Sequence, residues 1–592
     1  MHEPFLTPPL RTAGRILAWV LGALLIVLIV ATAWIGIRGA LAYGHLRAAQ
    51  DGAADIAGRL DDLGAAAGAI DDLAADTSAA RDLTSDPIWA AAEGAPWVGP
   101  QLSAVADVAE AIDRTVTDAA APIAAVAGDF GTEAFRPVDG RIDTAVFTEL
   151  EAPAWQAAEA AASARDDIEA IDRRPLFGVV ADAVDQVDGL LQQAATATDA
   201  LARASSLLPS MLGADGARDH LLIVQNNAEW RTQGGIVGAA SLIRTDDGRI
   251  ELSGQLASGD FERTDEPVVD IGEYETIYQE KPGRFIQNIT QVPDFALTGR
   301  LGQEFATQQG ADVGSVLSLD PVALAYLLEA TGPVRLPTGD ELTSENAVPL
   351  LLNEVYLRYE EPAVQDAFFA AAAAAVFEAM TAGEVDPATL VSALGRAGSE
   401  RRLLLWSADD AEQELLAQTT LAGALPATDD GTARLGVYFN DGTGSKMDYY
   451  LTPEVALAWS GCAPGITRRT LTLDVTLTND APADAATSLP RYITGGGEYG
   501  VPAGTARTVG EVYLPAGFEV ITSTTTGGQS FGGGMIDGRQ VLTYTLDLEP
   551  GESETVTIAV RADTAITEAE AWVTPTADAD LATSVSASCT KG

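Results

Sequence analysis

From Ile16 to Ile37 the chain runs 22 residues, ILAWVLGALLIVLIVATAWIGI, without a charged side chain. At about 1.5 Å per residue a helix of that length spans roughly 33 Å, enough to cross a bilayer. Trp19 and Trp34 stand near its two ends, where aromatic residues favour the lipid–water boundary. The run predicts an uncleaved transmembrane helix over residues 16–37 after a short tail, 1–15. A signal peptide is the competing reading, because Ala40-Leu41-Ala42 suits cleavage, although the apolar region is longer than such peptides use. Arg11 and Arg15 precede the run and Arg38 and Arg47 follow it, so arginine counting leaves the orientation open.

Beyond the anchor the pattern changes to helical spacing. Ile56, Leu60, Leu63, Ala67, Ile70 and Ala74 recur three and four apart, as do Leu102, Val105, Val108, Ile112 and Val116. Prolines and glycines interrupt the pattern in DPIWAAAEGAPWVGPQL, where Trp89 and Trp97 are read as closing the end of a bundle, with a ligand platform as the alternative. Segments 144–172 and 176–208 complete about four helices, giving a helical stalk or bundle over residues 38–212.

Residues 213–452 mix apolar strands with helices, an α/β pattern. GGIVGAASLIR and RIELSGQLAS flank Asp247-Gly248, a tight-hairpin signal. Asp320-Pro321 caps and opens a helix that Gly332 ends, and SENAVPLLLNEVYLRY with the alanine run that follows predicts long helices. LLLWSADDAEQELL reads as a buried strand feeding a helix, with Ser407 and Asp410 in capping-box spacing. In the last part, 453–592, period-two alternation takes over. Leu471, Leu473, Val475 and Leu477 share one strand face, and VLTYTLDLEPGESETVTIAV gives two strands joined at Pro550-Gly551. An antiparallel β sandwich of Ig-like form is expected there. The fold class is thus multidomain α+β.

The only two cysteines, Cys462 and Cys589, bracket this β region. A disulfide between them would close a long loop, worth about 4 to 5 kcal/mol in the chain-entropy model, and would imply an oxidising exterior. Two unpaired thiols are the alternative. With 85 Asp and Glu against 35 Lys and Arg, the chain carries a net charge of -50, which repels phosphate backbones and argues against nucleic acid as a partner.

Three histidines, His2, His45 and His220, provide no metal-ligand spacing and no Ser-His-Asp arrangement, and Gly234, Gly235 and Gly238 lack the lysine of a nucleotide P-loop. What remains is arginine with carboxylate: Arg231, Arg244, Arg263, Arg284 and Arg300 among Glu229, Asp260, Glu262, Asp265 and Asp294. Such a set could bind phosphorylated groups through bidentate hydrogen bonds and hold a hard cation through oxygen ligands, or it is an ion-paired surface. QNNAEWRTQGG is the sharpest stretch. Arg231 with Asn226, Asn227, Gly234 and Gly235 would present donors to an anion at a sheet's end. Alternatively the amides satisfy buried backbone and Arg231 pairs internally.

HLLIVQNNAEWRTQGGIVGAASLIRTDDGRI, LSLDPVALAYLLEATGPVRLP, ENAVPLLLNEVY, LLLWSADDAEQELL and VYFNDGTGSKMDYYL together resemble the bacterial membrane-anchored family known as domain of unknown function 4012, over most of the chain. That plan implies a single-pass cell-membrane protein with a cytoplasmic N-terminus and its mass outside. The central region also distantly resembles the LytR-CpsA-Psr family, whose members transfer glycopolymers from polyprenyl-pyrophosphate lipids to peptidoglycan with arginines on the pyrophosphate and aspartates on magnesium. That resemblance implies Arg231 as the anion-gripping residue, Asp260 as the catalytic candidate, and lipid-linked glycopolymer or peptidoglycan as partners. Departures stand beside it. Arg231-Thr232-Gln233-Gly234 lacks the metal-binding aspartate, and Gly259 replaces the arginine before Asp260. A non-enzymatic envelope scaffold with a degenerate ligand site is the alternative function.

Overall fold

The computed structural model describes residues 8–57, 63–130, 140–382, 385–463 and 465–589, in two units: residues up to Phe135 with Asp143–Pro209, and Arg136–Ile142 with Ser210–Gly592. Helix and strand are both abundant, 49% and 25%.

In the first unit, α1 (Pro8–Ala57) continues unbroken out of the apolar run. Its Ile16, Leu25 and Val30 are exposed, and one long apolar helix near the N-terminus fits a single-pass membrane anchor; the same length and composition suit a signal sequence. α2 (Leu63–Thr84) buries Leu73, Thr77, Ala80 and Thr84, a stripe four and three apart. Leu60 of the expected seam lies outside the described residues, and so does the start of the 1–15 tail. After the short α3 (Pro87–Glu93) come α4 (Gly99–Arg114), a π-helical turn at Thr115–Ala120 ahead of Pro122, and α5 (Ala121–Phe130). The two expected later helices are present as α6 (Ala145–Glu169) and α7 (Gly178–Met211).

Alanine makes the contacts in this bundle: Ala104, Ala111 and Ala164 pack with Ile168, Val184 and Leu191. Small side chains let helix backbones approach closely and leave little volume to fill. A buried carboxylate, Asp113, ties α2 to α4 by accepting from Thr77 (3.1 Å) and Ser78 (2.7 Å) and pairing with Arg81 (2.7 Å). The tryptophans at the bundle end part ways. Trp89 is buried and donates its indole N–H to the Leu102 carbonyl (3.1 Å), whereas Trp97, expected to close the bundle, is 83% exposed.

The second unit begins with β1 (Arg218–Arg231), β2 (Gly234–Asp246) and β3 (Arg249–Ala257). Asp247 and Gly248 both take positive φ at the expected hairpin. A Cβ on Gly248 would lie 1.9 Å from the Ile142 carbonyl oxygen, so only glycine lets residues 140–142 pair here, through Ile142 N to Gly248 O and Ile250 N to Gly140 O. α8 (Phe295–Gln308) and β4 (Ser315–Leu319) follow. α9 (Pro321–Thr331) is capped as expected, with Asp320 Oδ1 accepting from the Ala323 amide (2.8 Å).

The segment after it is less regular than the long helix read from the sequence. It breaks at a π turn, Leu350–Glu354, before α10 (Pro362–Thr381). α10 is also long and apolar enough to cross a membrane, yet Phe368, Ala372 and Val376 pack into a core with Leu328 and Val334. α11 (Pro387–Ser399), β5 (Leu403–Ser407) and α12 (Asp410–Ala417) close this part. The cap of α12 is Asp409, which accepts from the Ala411 and Glu412 amides, and not the expected Ser407. The sheet order is β3-β2-β1-β4-β5, with β1 and β4 parallel.

The remaining strands are β6 (Thr432–Asp441), β7 (Leu451–Ser460), β8 (Arg468–Asn479), β9 (Ala506–Tyr513), β10 (Glu519–Thr525), β11 (Gly532–Ile536), β12 (Arg539–Leu548), β13 (Ser553–Asp563), β14 (Glu568–Val573) and β15 (Ser584–Ser588). They form a six-stranded sheet, β11-β12-β9-β6-β14-β15, and a four-stranded sheet, β10-β13-β8-β7. One core lies between them, and Leu471, Leu473, Val475 and Leu477 all point into it. Two features depart from the expected antiparallel arrangement drawn from residue 453 onward. β6 precedes that boundary yet sits inside the six-stranded sheet, and it pairs with β14 in parallel. The far face of this sheet carries Tyr438, Tyr513 and Val541 into the core built on Leu221, Ile223 and Phe295, so the central region and the β layers share packing within one unit. Cys462 and Cys589 form a disulfide with Cα atoms 5.3 Å apart.

Candidate functional site

The second half of β1 runs through QNNAEWR. Its pairing with β2 slips between Val224 and Gln225 and again between Asn226 and Trp230, so residues 227–229 bulge out of the ladder. That bulge turns Glu229, Trp230 and Arg231 into the protein's interior. Arg231 donates from Nη1 to the Trp230 carbonyl (2.7 Å) and from Nε to Asn288 Oδ1 (3.1 Å). The amide donors around it are also engaged. Gln225 bridges Ser318 Oγ (2.7 Å) and the Gly235 amide (2.6 Å), Asn226 donates to the Tyr356 hydroxyl (2.5 Å), and Asn227 donates to Asp320 and to the Pro575 carbonyl (3.1 Å each). Gly235 therefore spends its N–H inside the fold, and a Cβ there would come within 2.3 Å of the Asn226 backbone.

What faces Arg231 is a set of buried carboxylates that spacing along the chain gave no means of finding. Asp441 ends β6, Asp448 lies in the turn at Met447–Tyr450, and Glu511 sits in β9. Asp448 accepts from the Trp230 amide (2.7 Å), and Glu511 accepts from Asn440 Nδ2 (2.9 Å), which also donates to Thr232 Oγ1 (2.9 Å). Glu229 forms an ion pair with Lys446, whose ammonium lies 5.0 Å and 5.2 Å from the ring centres of Tyr356 and Tyr492.

Two cations cannot balance four ionised carboxylates in a dry interior, and proton uptake settles the difference. Burial pushes Glu511 up to about 8, against the pull of Asn440 and Arg231. Burial and the neighbouring Asp441 raise Asp448 well above the usual carboxylate range, and burial raises Asp441 as well. Burial acts to lower Lys446, but Glu229 and the two tyrosines outweigh it and keep the ammonium protonated. At neutral pH protons sit on Glu511 and within the Asp441–Asp448 pair, beside the Lys446 ammonium. Asp441 Oδ2 has no protein hydrogen-bond partner among the described residues. Beside the cluster a shallow cleft is lined by Thr443, Ser445, Gly495, Tyr499 and Thr505.

The other residues singled out from the sequence lie elsewhere. Asp260 is exposed in the turn after β3, and its Oδ2 accepts from the Ala257 amide (2.8 Å). Arg244 pairs with Asp219 (2.9 Å), Arg284 with Glu280 (3.1 Å), Arg263 lies over Phe285, and Asp294 caps α8. Magnesium does not fit the residues the resemblance assigns to it, since Asp260 brings one carboxylate already engaged by its own turn. Among the described residues no group of three or more His, Cys, Asp or Glu has a metal-holding arrangement.

Two further buried ion pairs escaped notice in the sequence. Arg218 grips Glu412 with both Nη atoms (2.6 Å and 2.7 Å), and Arg402 reaches Asp320 (2.7 Å) and the Thr576 carbonyl (2.7 Å).

No curated protein and no solved structure matches the chain. A family match covers residues 215–356, from the start of β1 to Tyr356, a shorter stretch than the expected resemblance. It contains Glu229, Arg231 and Asn288 and excludes Asp441, Lys446, Asp448 and Glu511. This central segment is similar to the family described as Protein of unknown function (DUF4012).

Proposed function

We propose that the protein is a membrane-tethered, extracytoplasmic scaffold of the cell envelope, in which the Arg231 region locks the second unit together and performs no transfer chemistry. The observation that carries this is the occupation of Arg231. Arg231 is 6% exposed, its guanidinium is hydrogen-bonded to Trp230 and Asn288, and carboxyl groups from three other segments interact with it electrostatically. An anion-gripping arginine needs donors free to meet ligand. The disulfide and the apolar α1 support an exterior location, with the N-terminus inside. On this reading the two facing sheets are an Ig-like sandwich adapted to hold β14 and β15.

Two measurements test it. A carboxyl-terminal alkaline phosphatase fusion should be active in whole cells and a fluorescent-protein fusion dark; the reverse would place the second unit in the cytosol. Geranylgeranyl pyrophosphate titrated into the detergent-solubilised chain should show no saturable binding. Saturable binding that Arg231→Gln abolishes, at an unchanged unfolding midpoint, would restore the glycopolymer-lipid reading with Arg231 as its anion site.

A further inference from the structure

Five large apolar side chains stand exposed at one end of the helical unit: Ile88 (42%), Trp97 (83%), Val98 (50%), Phe177 (58%) and Val179 (83%). They come from α3 with the segment that joins it to α4, and from the start of α7 with the segment before it, and the two regions are stitched together. Gln101 donates to the Trp97 carbonyl (3.3 Å) and the Pro175 carbonyl (2.9 Å) and accepts from the Phe177 amide (2.9 Å). Trp97 has φ 62, a conformation that bulky residues rarely adopt and that costs on the order of 1 kcal/mol or more. The fold holds this indole out of the bundle whose end it was expected to close.

The position of this end relative to the anchor is set within the same unit. Trp34 donates to Asp86 (3.3 Å), Arg38 pairs with Asp86 (2.9 Å) and donates to the Leu83 carbonyl (2.8 Å), and the Trp89 ring packs on Gly39. Trp34 and Arg38 straddle the last residue of the apolar run, so these contacts fix the turn around Asp86 at the level where α1 leaves the lipid. Trp89 then bonds to Leu102, and the neighbouring Gln101 carries the level across to Phe177.

We propose that the segments bearing Trp97-Val98 and Phe177-Val179 dip into the same bilayer leaflet from which α1 emerges, so that the helical unit rests on the membrane as well as hanging from it. This rests on the reading of α1 as a retained anchor. Aromatic and aliphatic tips gain free energy at the headgroup–acyl boundary, and Trp is the residue most at home there. Electrostatics contribute little, because the chain's net charge of -50 disfavours anionic lipid and the nearby Arg174 is already paired with Asp172 (2.8 Å). The surface fits zwitterionic lipid.

The two cysteines are tied up in the disulfide, so single cysteines can be introduced and labelled with an environment-sensitive fluorophore in the full chain. Labels at Val98→Cys, Val179→Cys, Leu25→Cys and Val391→Cys would be compared in phosphatidylcholine vesicles carrying a nitroxide at a shallow acyl position and at a deep one. Val391, 70% exposed in the second unit, is the aqueous reference. The expected result is strong shallow quenching at Val98 and Val179, deep quenching at Leu25, and none at Val391. Val98 and Val179 labels that behave like Val391 while Leu25 is deeply quenched would overturn this proposal and leave the anchor intact. An unquenched Leu25 label would remove the anchor and the proposal together.

Discussion

Replacing Glu511 by glutamine tests the charge accounting around Arg231. Glu511 is 2% exposed, and its Oε2 accepts from Asn440; a glutamine carbonyl fills the same role without an ionisable proton. Burial places the native carboxyl at about 8, while in the unfolded chain it titrates at about 4.3. The folded value is the higher one, so the native state holds a proton that the unfolded state has released. Stability from this group is complete below about pH 4.3 and is lost as pH rises through about 8. At about 1.4 kcal/mol per unit, the loss between pH 4.3 and 7.5 is about 4 kcal/mol. Glu511→Gln escapes that loss. Its stability should match the native chain near pH 4.5 and exceed it by about 4 kcal/mol at pH 7.5. Asp441 and Asp448 titrate in both proteins and cancel in the difference. Guanidinium unfolding of the full chain in detergent, followed by tryptophan fluorescence, would measure both stabilities across this range. Parallel pH profiles would show that Glu511 is already ionised in the fold and that the proton assignment is mistaken.

Breaking the bridge with Cys462→Ser and Cys589→Ser opens a loop spanning 127 residues and should lower stability by about 5 kcal/mol in the chain-entropy model, read as a urea midpoint that no longer responds to reductant. Arg402→Ala strands the Asp320 carboxylate, 1% exposed, without its guanidinium and should cost about 3 to 5 kcal/mol; a midpoint within error of the native chain would refute the pairing. Gly248→Ala drives a methyl group into the Ile142 carbonyl at a φ of 79, and should cost about 2 kcal/mol or more while speeding hydrogen exchange at the Ile142 and Ile250 amides.

Local chemistry carried the sequence reading as far as local chemistry reaches. The alternation of Leu471 to Leu477, the Asp247-Gly248 turn and the Asp320-Pro321 cap each depend on a few consecutive residues, and each appears as expected. Helix α12 shows the limit. Ser407 had the right spacing to cap it, but Arg218 and Glu412 hold the Ser407 hydroxyl, and Asp409 caps instead. For Arg231 the internal-pairing alternative was visible, whereas its actual neighbours were not. They arrive from Asp441, Asp448 and Glu511, hundreds of residues away, by packing of β1 against elements outside its own sheet, which no periodicity encodes. Trp97 failed for the opposite reason: hydrophobicity forecasts burial in water, and the forecast says nothing of a side chain whose resting place is lipid.

The placement of β6 constrains how this molecule can be made. Its parallel neighbour β14 is synthesised far later, and Arg434 meets its partner Glu570 only after 136 further residues. Until then β6 offers an open row of amides and carbonyls, a template for wrong partners. Chains stalled or clipped ahead of residue 568 should aggregate instead of leaving a smaller working domain. A cell that builds this protein must shield the unfinished edge until the final two strands arrive, which makes chaperone supply a natural limit on its yield.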